Sequence, residues 1–227
     1  MTVRLLSNEL ETPTTRRIRL ALDGAPFLYR AGQAAALTMG GTATPYSIAS
    51  APGETSRHGW LEFLVKVDGS SRFGALVDHL DVGANVTLEG PVGAFTLDRV
   101  AGDVPILFIA GGTGIAPLRS MIVEALETKR PGKLSLVYSS RTPDEFAYLA
   151  ELRALAAEGR LSLTLTLTGE AVEWTHARGR AGAAHIADLL QPSTTAFVCG
   201  PPAMVADIPA ALVSLGVPRE QIVTENW

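Results

Sequence analysis

The chain has 227 residues, of which 47% are hydrophobic and 19% charged, with a net charge of −4 and a pI of about 5.6. It is long enough for one large domain or two ordinary ones and apolar enough to bury a sizeable core, and its near-neutral field has no general attraction for nucleic acid or anionic lipid. The single cysteine, Cys199, excludes an internal disulfide or a cysteine metal cluster, and the four histidines show no metal-ligand spacing, so no metal is expected.

Up to about Leu97 the chain reads as short strands: TVRLLSNEL, RRIRLAL, AAALTM, PYSIAS, WLEFLVKV and NVTLEG, separated by turn signals such as LDGAP, MGGTAT, APGET and DVGAN. Only ALVDHL suggests a short helix there. Six strands without crossover helices predict a six-stranded antiparallel β-barrel. The basic run Arg16, Arg17 and Arg19 is either a solvated strand face or a docking patch for an acidic protein.

After DRVAGD the rhythm changes to strands alternating with helices. VPILFIA is a buried-type strand, followed by a glycine turn and a helix with Leu118, Met121, Ile122, Ala125 and Leu126 at helical spacing. LSLVYSS, LSLTLTLT, TAFVCG and QIVTE are further strands, with helices over EFAYLAELRALAA, AAHIADLL and PPAMVADIPAALVSL. Right-handed crossovers then make a doubly wound α/β domain with a five-stranded parallel sheet. The expected domains are residues 1–100 and 101–227. MTVRLLSNELE lacks a long apolar run, and VPILFIAGGTGIAPL is broken by glycines and Pro117. Neither a signal peptide nor a membrane span is expected, and the location expected is the cytoplasm.

Three motifs carry chemistry. In TPYSIAS, Thr44 to Ser50, Pro45 restrains the backbone and presents Tyr46 and Ser47, which reads as a binding edge or as an ordinary half-buried strand. In GGTGIAP, Gly111, Gly112, Thr113 and Gly114 lie where a strand hands over to a helix. Such a turn lets a phosphate approach the backbone at a favourable dipole end, and Pro117 suits the first helical turn, although by itself the motif reads equally as a structural tight turn. CGPPAM, with Cys199, Gly200, Pro201 and Met204, repeats the arrangement after the fourth strand, so both turns belong to the ligand-binding edge of a parallel sheet. Cys199 by itself is equally a buried core thiol, and the terminal Glu225, Asn226 and Trp227 are equally a frayed tail.

TPYSIAS, LVKV, GSS, GPVGAF, GGTGIAP, CGPPAM and the final ENW, in that order, resemble the ferredoxin–NADP reductase family of flavoprotein electron transferases across essentially the whole chain. The likeness is to the bare reductase module, without a fused cysteine-rich ferredoxin segment. It implies FAD rather than FMN in the barrel and a nicotinamide nucleotide in the α/β domain. Tyr46 would pack on the flavin ring and Ser47 would hydrogen-bond near its reactive nitrogen. Lys66 and Val67 would line its edge, and Gly69, Ser70 and Ser71 would meet its pyrophosphate. Gly111 to Gly114 would cradle the nucleotide pyrophosphate, Cys199 would face the nicotinamide, Glu225 would orient the catalytic site, and Trp227 would cover the flavin. Ser47, Cys199 and Glu225 are the expected catalytic residues.

Two departures follow from the resemblance. The family's arginine two residues before the tyrosine is here Thr44, which cannot replace a bidentate phosphate contact. The stretch where relatives using NADPH carry a serine-arginine pair is Thr168-Gly169-Glu170, whose carboxylate disfavours a 2′-phosphate, so NADH is expected; Arg141, Arg178 and Arg180 are close enough in sequence to serve as substitutes. The implied activity is hydride transfer from the nucleotide to bound FAD and release of single electrons to an iron–sulfur or haem protein, such as a ferredoxin or an oxygenase component. Reduction of free flavin as a substrate, or service as a subunit of a larger complex, stand as alternatives.

Overall fold

A computed structural model of the chain describes residues 1–171 and 173–226. It divides into two compact units, Met1–Arg99 with Arg119–Thr128, and Val100–Leu118 with Lys129 onward.

The first unit is built on β1 (Thr2–Thr12), β2 (Thr15–Ala21), β3 (Ala34–Met39), β4 (Thr42–Ser47), β5 (Trp60–Lys66) and β6 (Asn85–Val92). They form one antiparallel sheet in the order β4-β3-β6-β1-β2-β5. The sheet's edges are β4 and β5, and just past β4 they meet in a single bridge between Ile48 and Phe63, with the Ala49 N–H donating to the Glu62 carbonyl at 2.8 Å. Alternation turns Val3 and Leu5 of β1 inward onto Ile18, Leu20, Phe63 and Leu88. Two short helices complete the unit. Helix α1 (Pro52–His58) occupies the stretch APGET, which reads as a turn in the sequence; Pro52 is in fact its first residue, and Gly59 ends it at φ 72°. Helix α2 (Arg72–Asp78) starts earlier than the pattern over ALVDHL predicts, because Ser71 caps it by accepting the Gly74 N–H at 3.0 Å.

The basic run faces its own sheet. Arg16 pairs with Asp78 at 2.7 Å, Arg17 with Glu9 at 2.6 Å, and Arg19 with the buried Glu62 at 2.8 Å while lying over Trp60. These charges are locally matched, which removes the reason to read them as a free patch for an acidic partner.

The second unit is a parallel sheet of β7 (Ile106–Gly111), β8 (Leu134–Ser140), β9 (Ser162–Leu167), β10 (Ala177–Arg178), β11 (Thr195–Gly200) and β12 (Ile222–Asn226), in the order β10-β9-β8-β7-β11-β12. The two-residue β10 is a sixth strand absent from the five-stranded expectation; it is too short to leave a hydrophobic pattern. Strands β7, β8 and β11 are buried along their whole length, as strands covered on both faces must be. Helix α3 (Ile115–Glu127) follows β7, with Leu118, Met121, Ile122 and Ala125 buried as the spacing predicts. Helix α4 is shorter than its apolar pattern, Leu149–Ala157, since Tyr148 precedes it in the left-handed region at φ 57°. A four-residue α5 (Ala183–Ile186) and the longer α6 (Pro202–Ser214) flank β11.

Candidate functional site

Tyr46, near the end of β4, is half-buried, its ring 5.0 Å from that of Phe73 on α2 and its hydroxyl hydrogen-bonded to Ser71. Burial holds its phenol above the ordinary value, so it stays a neutral flat surface. The first turn of α2 is seated tightly behind it: a Cβ on Gly74 would stand 2.0 Å from the Lys66 carbonyl oxygen. Gly69 takes φ +81°, and the Ser70 N–H donates to Asp68 at 3.0 Å. Lys66 pairs with Asp68 at 2.8 Å, and the Val67 N–H donates to Thr14, leaving its carbonyl side as the one to line an edge. Thr44 stands opposite Leu37 and Ser47 opposite Ala34. Tyr46, Ser71 and the Gly69–Ser71 turn thus come together, a flat ring beside a glycine-bearing loop, and this fits a flavin with its phosphate chain.

Beside this lies a polar network that no motif announced. Ser50, fully buried, receives Tyr29: the Tyr29 hydroxyl donates to the Ser50 carbonyl at 2.9 Å and lies 2.7 Å from Thr55 Oγ1. Ser120 Oγ also donates to the Ser50 carbonyl, at 2.7 Å. Arg119 donates Nη1 to the Ala49 carbonyl at 2.9 Å and forks onto both oxygens of Glu54, at 2.9 and 3.1 Å. Burial pushes the Tyr29 phenol up to about 12. For Glu54, burial alone would raise the carboxyl, and the Arg119 hydrogen bond and charge outweigh it to hold the group below the usual range. These residues clamp Ala49 and Ser50, directly after Tyr46 and Ser47. In the sequence they are scattered over more than ninety positions with no common spacing, and Glu54 sits in what reads as a turn.

In the second unit the strand order reverses between β7 and β11, and the turns that follow them adjoin, as both motifs require. A Cβ on Gly114 would fall 2.3 Å from the Cys199 carbonyl oxygen, and one on Gly200 would fall 2.7 Å from the Met204 sulfur and 3.2 Å from the Gly111 nitrogen. A Cβ on Gly111 would meet Pro201 at 2.8 Å. Gly111, Gly114 and Gly200 are therefore buried where the two turns pack backbone to backbone against Pro201 and Met204, and Gly112 and Thr113 stay partly exposed at the rim, an arrangement that fits a pyrophosphate. Gly112 takes φ +53° and its carbonyl accepts from the Tyr138 hydroxyl at 3.1 Å; Pro117 lies in the first turn of α3. Cys199 and Glu225 are register partners on β11 and β12. Burial, reinforced by the Glu225 charge, pushes the Cys199 thiol far up, so it is protonated and no nucleophile. Trp227 lies outside the described residues.

Arg141 is exposed at the end of β8, its carbonyl accepting the Gly169 N–H at 3.0 Å, so it lies beside Thr168-Gly169-Glu170. Arg178 is occupied differently, donating to the carbonyls of Ala171 and Trp174. Among the described residues there is no cluster of metal-ligating side chains and no helix long and apolar enough to cross a membrane.

Comparison with known proteins agrees with both halves. Residues 2–97 match the oxidoreductase FAD-binding domain and residues 108–209 the oxidoreductase NAD-binding domain. The chain is 32% identical over 219 residues to a ferredoxin–NADP reductase B of Sorangium cellulosum, covering 90% of this chain and 88% of that protein. It is 30% identical over 225 residues to the reductase component of propane 2-monooxygenase of Mycolicibacterium smegmatis, covering 91% of this chain but only 61% of that longer protein. Among solved structures, the Amycolatopsis cytochrome P450 reductase GcoB superposes with a TM-score of 0.87 at 28% identity, over 99% of this chain and 68% of that one.

Proposed function

Since the chain belongs to the ferredoxin–NADP reductase family of FAD- and NAD-binding oxidoreductases, we propose that it takes hydride from NADH onto bound FAD and delivers electrons singly to an acceptor protein, a ferredoxin or an oxygenase component. The observation that carries this reading is the cradle at the reversal of strand order, where Gly111, Gly114 and Gly200 let the two turns close on each other beside the paired Cys199 and Glu225, with Gly112 and Thr113 partly exposed at the rim. FAD, when bound, supplies the conversion between two-electron and one-electron chemistry. The protein's own residues do the positioning. Tyr46 offers a ring face, Ser47 a hydroxyl from the strand end that the Arg119 clamp holds, and Gly69 to Ser71 a turn for the phosphates. Cys199, kept neutral, borders the nicotinamide by its shape, and Glu225 sets the local charge. Anaerobic titration with NADH, followed by the flavin spectrum, tests the whole: the oxidised flavin band should bleach stoichiometrically, and a spectrum that stays oxidised sinks the proposal.

The donor preference rests on Glu170, exposed next to Gly169 and Arg141. Two unit charges about 4 Å apart repel by about 1 kcal/mol in bulk water and about 4 kcal/mol near a protein surface. NADH should therefore be preferred in kcat/KM, and Glu170→Gln should raise the relative efficiency with NADPH about fivefold or more. A wild-type preference for NADPH would overturn this and turn attention to Arg141 and Arg180.

One feature favours a second reading, reduction of free flavin as a substrate: Thr44 stands where the family resemblance implies an arginine on the flavin phosphate. The purified protein separates the two. It is yellow if the flavin is retained and colourless if the flavin only visits.

A further inference from the structure

We propose that Arg72 supplies the cation for the flavin phosphates that Thr44 cannot. The inference rests on the flavin-binding reading above and on a charge assignment across the first 99 residues. Among the described residues there, every lysine and arginine other than Arg72 already donates to a carboxylate or a carbonyl. The two rivals closest to the motifs are both committed: Arg30 pairs with Asp98 at 3.0 Å and Lys66 with Asp68 at 2.8 Å. Arg72 is exposed, with no ion pair and no hydrogen bond to any described residue.

Its position is set from both sides. Ser71 shares a hydrogen bond with the Tyr46 hydroxyl, and Phe73 places its ring 5.0 Å from that of Tyr46. Arg72 therefore leaves the backbone between two residues that both touch the tyrosine two positions along β4 from Thr44. The segment has little freedom to swing away, because the Gly74 backbone lies against the Lys66 carbonyl and Leu76 approaches Gly40, where an added Cβ would be 3.3 Å from Leu76 Cδ1. The neighbouring Asp68 is ionised, its carboxyl held well below the usual range by hydrogen bonds from Lys66 first and then Ser70, but its charge is already matched by Lys66 at 2.8 Å. A guanidinium from the first residue of α2 thus takes over the charge that the family resemblance implies on the strand itself. Its planar fork suits two phosphate oxygens, and the exchange retains charge-assisted binding.

The test uses apoprotein prepared from the full chain, titrated with FAD, FMN and riboflavin by fluorescence. Arg72→Gln should weaken FAD and FMN about tenfold or more, the range for a lost charge-assisted bond, and leave riboflavin, which has no phosphate, within twofold. The salt dependence of FAD affinity should flatten in the same variant. Thr44→Arg placed in the Arg72→Gln background should restore most of the lost FAD affinity, and the thermal unfolding temperature of Arg72→Gln should match wild type because the exposed side chain makes no hydrogen bond or ion pair with any described residue. Wild-type FAD affinity in Arg72→Gln overturns the proposal, and so does an equal loss of riboflavin, which would mark Arg72 as merely structural. A wild-type apoprotein that binds none of the three flavins sinks the flavin reading itself along with this one. Flavin binding with no effect of Arg72 sinks this inference alone.

Discussion

Arg119→Ala should destabilise the protein by about 3–5 kcal/mol, the usual cost of leaving a buried charge without its partner. The Arg119 side chain is 9% exposed and that of Glu54 15%, so water replaces little of what is lost. Two further groups suffer: the Ala49 carbonyl loses its donor, and Glu62, whose other oxygen faces Arg19 and Arg17, loses the cation 4.0 Å from its Oε1. Arg119→Lys should recover only part, because an ammonium cannot span both Glu54 oxygens while also reaching Ala49. The pH dependence identifies the cause. In the wild type the folded-state value of Glu54 is lowered, so its contribution is complete above the ordinary carboxylate value of about 4.3 and is lost as the pH falls through the lower folded value. Without Arg119, burial, the largest influence, is opposed only by the Ala51 N–H and the Arg57 charge, so the Glu54 value should rise from its wild-type position, and the variant's penalty should be present at neutral pH and fade as acid protonates the group. Denaturant unfolding at pH 7 and at pH 4 should show the gap between wild type and variant narrowing in acid. A gap under about 1 kcal/mol, or one indifferent to pH, would mean that the fork is decorative.

Gly114→Ala should abolish most nicotinamide nucleotide binding and cost about 1–3 kcal/mol in stability, the range for overpacking. The new methyl carbon would fall 2.3 Å from the Cys199 carbonyl oxygen and 2.6 Å from its carbon, backbone atoms in a fully buried strand. Nothing there yields, so the turn after β7 must lift away from the turn after β11 and the cradle opens. Gly200→Ala is the informative contrast. Its methyl would meet the Met204 sulfur first, at 2.7 Å, and a thioether side chain can swing aside, although Gly111 stays close at 3.2 Å. Nucleotide titration should rank Gly114→Ala as the more damaging of the two. Equal or reversed losses would show that the two turns do not close on one ligand.

The periodicities settled much of this protein before any coordinates. Period-two alternation at the start of TVRLLSNEL and unbroken apolar runs in VPILFIA and TAFVCG distinguish a sheet with one buried face from strands covered on both faces, and Val3 and Leu5 are buried in alternation while β7 and β11 are buried throughout. TPYSIAS, GGTGIAP and CGPPAM were legible because the chemistry of a site built on strand ends is concentrated in short turns that need glycine and proline. What the sequence withheld has physical reasons too. The residue that precedes helix α1, Ala51, has no polar side chain to announce a helix start, Glu54 reaching back to its N–H instead, and the seven residues span only two turns, so the stop signal Gly59 and the proline read as punctuation between strands. The two residues of β10 carry no periodicity at all. The clamp of Ser50, Tyr29, Glu54, Arg119 and Ser120 is long-range by nature: each partner is an ordinary polar residue in its own neighbourhood, and only burial in one place makes them depend on one another. Charge assignment has the same character. Arg16, Arg17 and Arg19 look like a patch in the chain and are individually paired in the fold, while Arg72, unremarkable in the chain, has no ion pair among the described residues and sits between two residues that touch Tyr46. Local pattern determines which elements form, but the identity of a charge's partner is decided by packing, because Coulomb interactions act across whichever residues the tertiary fold brings together.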